Sequence, residues 1–167
     1  MDQRDEDRAA LEDFCRLQFP RLVALLSIYC GDPATAEDLA QETLARVWRR
    51  WDRVRRLDAP ELWARRVALN LANSWFRRRR AGARAVGRAA AFVAPAPAPA
   101  GDDGFLRLVA GLAPRQRAAL VLRFHEDLSV AETARLLRCR EGTVKALTSQ
   151  ALDALRRQGV AVEDADG

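Results

Sequence analysis

Apolar residues recur at intervals of three and four through most of this chain, and that rhythm predicts helices rather than strands. The first helix covers Leu11 to Cys30, with Phe14, Leu17, Leu22, Leu25 and Leu26 as its candidate core. Gly31-Asp32-Pro33 then breaks the pattern. A second helix begins near Pro33 and runs to about Trp51, turning Ala36, Leu39, Ala40, Thr43, Val47 and Trp48 inward. After a loop from Asp52 to Pro60 comes the most informative stretch, LWARRVALNLANSWFRRRR, from Leu62 to Arg80. Neither Gly nor Pro interrupts it. Trp63, Val67, Leu71 and Trp75 stand four apart and so stack along one face, which Leu69, Ala72 and Phe76 widen.

From Gly82 the periodicity decays. Ala83 to Gly101 is rich in Ala, Gly and Pro and ends in APAPAPAG, a composition that favours extended polyproline conformation and builds no core. Pro95, Pro97 and Pro99 exclude a continuous interdomain helix. Apolar spacing resumes with Phe105, Leu106, Leu108, Val109 and Leu112, which suggest a short helix. Pro114 suits a helix start, and Ala118, Leu120, Val121 and Leu122 carry that helix towards Phe124. Ser129-Val130-Ala131-Glu132 is a capping box, opening a helix through Leu136. A short turn at Leu137–Arg140 leads to a last helix, Glu141 to Arg157, with Val144, Leu147, Ala151 and Leu155 inward. Two helices joined by so short a turn, with small Ala134 at the crossing, describe a helix-turn-helix. The expected fold is all-α: one small helical domain over 1–82, a linker over 83–101, a second domain over 102–158 and an acidic tail over 159–167.

Charge sharpens the picture more than composition does. The 167 residues are 49% hydrophobic, which excludes wholesale disorder, and no apolar run is long enough to span a bilayer. The opening MDQRDEDRAA is acidic, unlike a signal peptide, so the protein is expected in the cytosol. Net charge is +5, but Met1–Phe14 holds six acids against two Arg, whereas Arg46–Arg88 holds fourteen Arg against three acids. So concentrated a basic block steers polyanions. Only Lys145 among the 28 basic residues is Lys, a bias that a GC-rich genome also produces.

The third helix concentrates this charge on one face. Opposite its apolar stripe lie Arg66, Asn70, Asn73, Arg77 and Arg80, with no acid between Leu62 and Arg80 to supply i,i+4 partners. Arg forks onto phosphates or guanine edges and Asn pairs with adenine, so nucleic acid is the favoured partner over a merely solvated basic face. The second helix carries Glu37, Asp38, Gln41 and Glu42 before Arg46, Arg49 and Arg50. That order suits the helix dipole, and Asp38, Gln41 and Glu42 also form a compact patch that a protein partner could read. Aromatic or Arg planes return about 1–3 kcal/mol per stacked base. Trp63, Trp75 and Phe76 are assigned to the core, whereas Trp51 and the Arg55-Arg56 pair beside the loop are the freer groups. Cys15, Cys30 and Cys139 make an odd count without a CxxC pair, which argues against a disulfide framework or zinc site. His125 has no companion at motif spacing and no glycine-rich phosphate loop occurs, so neither an enzyme nor a bound cofactor or metal is expected.

AEDLAQETLARVW followed by LWARRVALNLANSWFRRRR resembles the second domain of extracytoplasmic-function sigma factors, in the sigma-70 family. The resemblance implies that Asp38, Gln41, Glu42 and Trp48 contact core RNA polymerase. It further implies that Arg55, Arg56, Arg66, Asn70, Asn73, Arg77 and Arg80 serve the promoter −10 element, with the 52–60 loop holding a flipped base. Ser74 stands where many members have Asp; one subgroup shows N-x-x-x-S-W-x-R-R, matched by Asn70, Ser74, Trp75, Arg77 and Arg78. ALVLRFHEDLSVAETARLLRCREGTVKALTSQALDALRR is similar to the family's fourth domain, which reads the −35 element. Arg140, Thr143, Lys145, Ala146, Ser149 and Gln150 would then face DNA. Arg140 replaces the usual small cap, weakening it by ~1 kcal/mol while adding a cation; Ala146 replaces a common Ser. The expected function is that of an alternative sigma factor, with core polymerase, promoter DNA and an anti-sigma factor as candidate partners and no membrane insertion. A one-component helix-turn-helix regulator needs no patch at Asp38–Trp48. A sigma-mimicking adaptor is normally joined to a receiver domain, and no such segment occurs here.

The linker carries a prediction of its own. At about 3.1 Å per residue in polyproline form, Ala83–Gly101 spans up to ~60 Å, roughly 17 base-pair steps at ~3.4 Å each. Deleting Ala94–Ala100 removes about 20 Å of reach. The deleted chain should bind core polymerase normally but lose transcription from a promoter of native spacing, with partial recovery on a shorter spacer. Full activity on the native promoter would show that this segment does not limit domain spacing.

Overall fold

The computed structural model describes residues 3–85, 109 and 111–159, and among them the only regular secondary structure is helical. The chain divides into two compact units on either side of the Val93–Ala94 bond. The N-terminal unit contains α1 (Gln3–Cys30), α2 (Pro33–Arg49), the single turn α3 (Trp51–Val54) and α4 (Pro60–Ala85). The C-terminal unit contains α5 (Pro114–Leu120), a π-helical turn (Val121–His125), α6 (Val130–Leu137) and α7 (Glu141–Arg157). No described helix is long and apolar enough to cross a membrane. The linker beyond Ala85, most of the expected Phe105–Leu112 helix and the tail beyond Gly159 lie outside the described residues.

In the N-terminal unit α1, α2 and α4 pack on one another. Gly31 takes a positive φ of 72°, and Asp32 then caps α2 with Pro33 at its first position. These are the breaks expected at Gly31-Asp32-Pro33. The core joins Leu22, Leu25, Leu26 and Tyr29 of α1 to Ala36, Leu39, Ala40 and Val47 of α2 and Ala64, Ala68, Leu69, Leu71 and Ala72 of α4. Thr43, buried as expected, satisfies its hydroxyl by donating to the Leu39 carbonyl at 2.7 Å.

Three expectations need correction. Leu17 is 53% exposed, and Gln18 is buried in its place; helical spacing aligns Phe14, Gln18, Leu22 and Leu25, leaving Leu17 about a quarter turn off. Trp48, expected inward, is 73% exposed. On α4 the buried stripe runs through Ala64, Ala68 and Ala72, with Val67 only half-buried. Small side chains allow close helix approach, so the bulkier Trp63 and Trp75 stand at the flanks. Element ends also shift: α1 starts at Gln3, α3 occupies part of the expected loop, and α4 runs three residues beyond residue 82. Ala81, Ala83 and Ala85 are strong helix formers, which offsets the ~1 kcal/mol cost of Gly82.

The C-terminal unit packs α7 against α5 and α6. The capping box is present: Ser129 Oγ accepts from the Glu132 N–H at 3.1 Å, and the Ser129 N–H donates to Glu132 Oε2 at 2.8 Å. Arg138 ends α6 in the left-handed region (φ 51°), and the Cys139 N–H donates to the Ala134 carbonyl at 3.0 Å. Ala134 is buried at the crossing, as expected; Val144, Ala151 and Leu155 are buried on α7, while Leu147 is half-buried. The helix begun at Pro114 widens into the π turn, leaving Phe124 39% exposed.

A charge occupies the centre of this unit. Arg117 is 1% exposed; its Nε donates to the Val109 carbonyl at 2.9 Å and its Nη2 to the Leu112 carbonyl at 3.1 Å. The guanidinium thus ties the segment before α5 onto the helix: it gives the Leu112 carbonyl a donor and adds a second to the Val109 carbonyl, which also accepts from the Leu112 N–H at 3.1 Å. Taking the guanidinium away leaves a buried carbonyl without its donor, at a cost of about 1–3 kcal/mol. Arg117→Ala should lower the calorimetric unfolding midpoint of the C-terminal unit by several degrees without altering the N-terminal unit. An unchanged melting profile would refute this structural role.

Candidate nucleic-acid and polymerase interfaces

Two differently charged faces emerge from the N-terminal unit. On α2, burial of Ala36, Leu39, Ala40, Thr43 and Val47 turns Asp38, Gln41 and Trp48 to solvent, with Glu42 half-exposed. At 100° and 1.5 Å per residue, Asp38, Gln41, Glu42 and Trp48 share about a third of the helix circumference over ~15 Å. Glu42 Oε1 accepts from Arg46 Nε at 2.9 Å, an exposed pair of small energetic weight. The start of this helix is fixed by Asp32, whose carboxylate accepts from the Thr35 hydroxyl and from the Thr35 N–H at 3.0 Å. The hydroxyl first and that backbone N–H second hold the Asp32 carboxyl below the usual carboxylate range. Where α2 ends, Trp48 and Arg49, Arg50, Trp51, Asp52 and Arg53 line an open groove of about 480 Å³.

The second face is the outer side of α4. Arg66, Asn70, Asn73, Arg77 and Arg80 are all exposed, and they fall within about a quarter of the circumference over ~21 Å. Among the described residues none of Arg66, Arg77 and Arg80 is paired with a carboxylate. Arg77 Nη2 donates to Ser74 Oγ at 2.8 Å. Asn73 is oriented from within: Tyr29, 1% exposed, donates its phenolic O–H to Asn73 Oδ1 at 2.6 Å. The Asn73 amide N–H groups are thereby directed away from the core. Tyr29 also meets Phe76 edge-on at 5.7 Å, and Phe76 meets Trp75 at 4.8 Å. Arg79 lies over the Trp75 ring at 5.2 Å, a cation–π contact. Trp63, Trp75 and Phe76 are accordingly half-buried.

The turn between these helices differs from expectation. Trp51 is half-buried, its Nε1–H donating to the Asp7 carbonyl at 3.1 Å and its ring 5.3 Å from that of Phe14. Arg55 is 29% exposed and its Nη1 donates to Asp7 Oδ1 at 2.5 Å. Neither is the free group the loop position suggested; Arg53 and Arg56 are the exposed cations there. Tyr29 and Asp7 are the residues sequence reasoning missed. Tyr29 is an aromatic in an apolar run, and Asp7 is one acid among six, so neither carried a distinguishing signal.

In the C-terminal unit Arg140 stands at the N-cap of α7 and makes no side-chain cap bond, as its long side chain implied. Thr143, Lys145, Ala146, Ser149 and Gln150 are exposed on the side of α7 opposite buried Val144, Ala151 and Leu155. Gln150 Oε1 accepts from Gln116 Nε2 of α5 at 3.3 Å. Arg135, Arg138 and Arg140, with Cys139 and Glu141, line an open groove of about 680 Å³ beside the turn. Arg135 and Arg138 thus add two exposed cations to the expected set.

A helical unit with an acidic-aromatic face and a basic face, coupled to a helix-turn-helix unit, defines a DNA-binding transcription protein. Residues 18–82 match the sigma-70 region 2 family model and residues 103–155 match that of sigma-70 region 4. The RNA polymerase sigma-E factor of Streptomyces coelicolor is 32% identical over 159 residues, 90% of this chain and 86% of that protein. That of Streptomyces avermitilis is 32% identical over 149 residues, 88% of this chain and 83% of that protein. Among solved structures, the sigma factor RpoE from Bartonella quintana, co-crystallised with the anti-sigma factor NepR, aligns with a TM-score of 0.73 at 27% identity. That alignment covers 87% of this chain and 94% of that one. The chain belongs to the sigma-70 family, in its extracytoplasmic-function class, and is an alternative sigma factor directing transcription initiation.

Proposed function

We propose that the two faces of the N-terminal unit divide the work of initiation between them. Asp38, Gln41, Glu42 and Trp48 on α2 dock on core RNA polymerase, while Arg66, Asn70, Asn73, Arg77 and Arg80 on α4, with the segment carrying Arg55 and Arg56, serve the −10 element. Arg140, Thr143, Lys145, Ala146, Ser149 and Gln150 on α7 read the −35 element from the major groove. The work is binding rather than catalysis, and it takes place beside polymerase in the cytoplasm. The observation that carries this reading is the α4 ridge: arginines and asparagines aligned over ~21 Å, without carboxylate partners among the described residues, on a helix anchored by its other side. An Arg left solvated gains nothing from such alignment, whereas a strand of phosphates and base edges matches it. An anti-sigma factor is a further candidate partner, since the Bartonella sigma factor was solved with one.

Recruitment is tested by Asp38→Arg with Glu42→Arg. The double variant should remain helical by circular dichroism and lose affinity for core polymerase; normal affinity of the folded variant would sink this assignment.

Promoter reading is tested separately at α4 and α7. Arg66→Ala should weaken all promoters and reduce the salt slope of binding by about 1. Thr143→Val or Gln150→Leu should instead alter base preference at −35 by ~1–3 kcal/mol per specific contact. A promoter library with unchanged preference in both α7 variants would overturn the docking.

A further inference from the structure

The acidic N-terminal turns of α1 reach a partner distant in sequence. Asp5, Glu6, Arg8, Ala9 and Ala10 are exposed, yet Asp7 among them is half-buried. It makes two contacts with the turn between α2 and α4: its carbonyl accepts from Trp51 Nε1 and its carboxylate from Arg55 Nη1. Arg55 Nη2 lies 3.7 Å from Asp52 Oδ1, and Arg55 Nε is buried without a hydrogen-bond partner. Beneath them Leu11, Phe14 and Trp51 pack on a small core of Val47, Val54 and Ala64. A guanidinium so enclosed cannot also reach a phosphate without leaving its site, whereas Arg53 and Arg56 on the same segment are exposed.

We infer that Asp7 is a positioning residue for promoter reading, and that Arg55 is a strut rather than a DNA contact. Together they hold the Trp51–Leu57 segment in one conformation, in which Arg53 and Arg56 are presented to the −10 strand. The inference rests on the reading above that this segment faces promoter DNA. Ordering a short segment in advance removes the entropy that binding would otherwise spend to fix it. The paired charges are oriented by packing on both sides, so their geometry does not depend on the long side chains finding each other from solvent.

The rival arrangement, in which Asp7 merely masks an Arg55 destined for phosphate, has opposite consequences. Asp7→Asn would then free a cation, tighten promoter binding and raise the salt slope by roughly 0.7–0.9. For a strut, Asp7→Asn holoenzyme should form open complexes about three- to tenfold more slowly, with a broadened −10 preference and an unchanged salt slope. Core-polymerase affinity should not change. The Trp51 indole resonance of the ¹⁵N-labelled full chain should shift, and Asp7→Arg with Arg55→Asp should recover much of the rate that Arg55→Asp alone loses. Tighter binding with a steeper slope overturns the inference in favour of masking. Unchanged opening in Asp7→Asn, while Arg56→Ala impairs it, overturns the strut alone. Unchanged opening in Asp7→Asn, Arg53→Ala and Arg56→Ala together shows that the segment does not meet DNA, and the underlying reading fails with it.

Discussion

Close approach of α4 to α1 and α2 is the constraint on which the N-terminal unit depends. Ala64, Ala68 and Ala72 are each fully buried, four residues apart, along the side of α4 that meets its neighbours. Methyl side chains at that spacing let the helix axes draw together as ridges and grooves allow. A larger residue at any of the three positions would hold α4 off and disturb the placement of everything it carries. With this side sealed, the opposite side is committed to solvent, and Arg66, Asn70, Asn73, Arg77 and Arg80 form a single exposed ridge. The basic ridge is therefore a consequence of the alanine stripe as much as of its own residue types.

Polar groups inside the fold then refine what the packing positions. Tyr29 reaches from the core of α1 to Asn73 and fixes the amide of a residue that faces outward. Asp7 reaches from the start of α1 to Trp51 and Arg55. Arg117 performs a related task in the C-terminal unit, tying the carbonyls of Val109 and Leu112 to α5, against which α7 packs. The Tyr29 and Asp7 links join groups 44 to 48 residues apart and so constrain tertiary geometry, whereas the Arg117 links span only eight and five residues and fix the local entry to α5. An unsatisfied partner in such a setting is costly, which makes these links specific as well as stabilising.

The helix-turn-helix uses more local chemistry. Ser129 and Glu132 define the start of α6, Arg138 ends it in the left-handed region, and burial of Val144, Ala151 and Leu155 leaves Thr143, Lys145, Ala146, Ser149 and Gln150 outward. These devices act within a few residues of one another, so the motif was readable directly, including the absent side-chain cap at Arg140. The π turn at Val121–His125 was not, because Ala118 to Leu122 is apolar at every position and so carries no periodicity in which an added residue would show. Its visible effect is the partial exposure of Phe124.

By itself, the sequence determined the helical class, the breaks at Gly31-Asp32-Pro33, the capping box and the outward face of α4, because each follows from local backbone chemistry or from the 3.6-residue period. The family resemblance likewise rested on contiguous motifs. Tertiary structure alone decided which of several apolar residues became core: Gln18 in place of Leu17, alanines in place of Trp63 and Val67, and an exposed Trp48. It also decided that Arg55 is held while Arg56 is exposed. Periodicity specifies a face to within about one residue, or 100°. Which side of that margin is buried depends on the shape of the neighbouring helix, and which cation is held depends on Asp7, 48 residues away from Arg55.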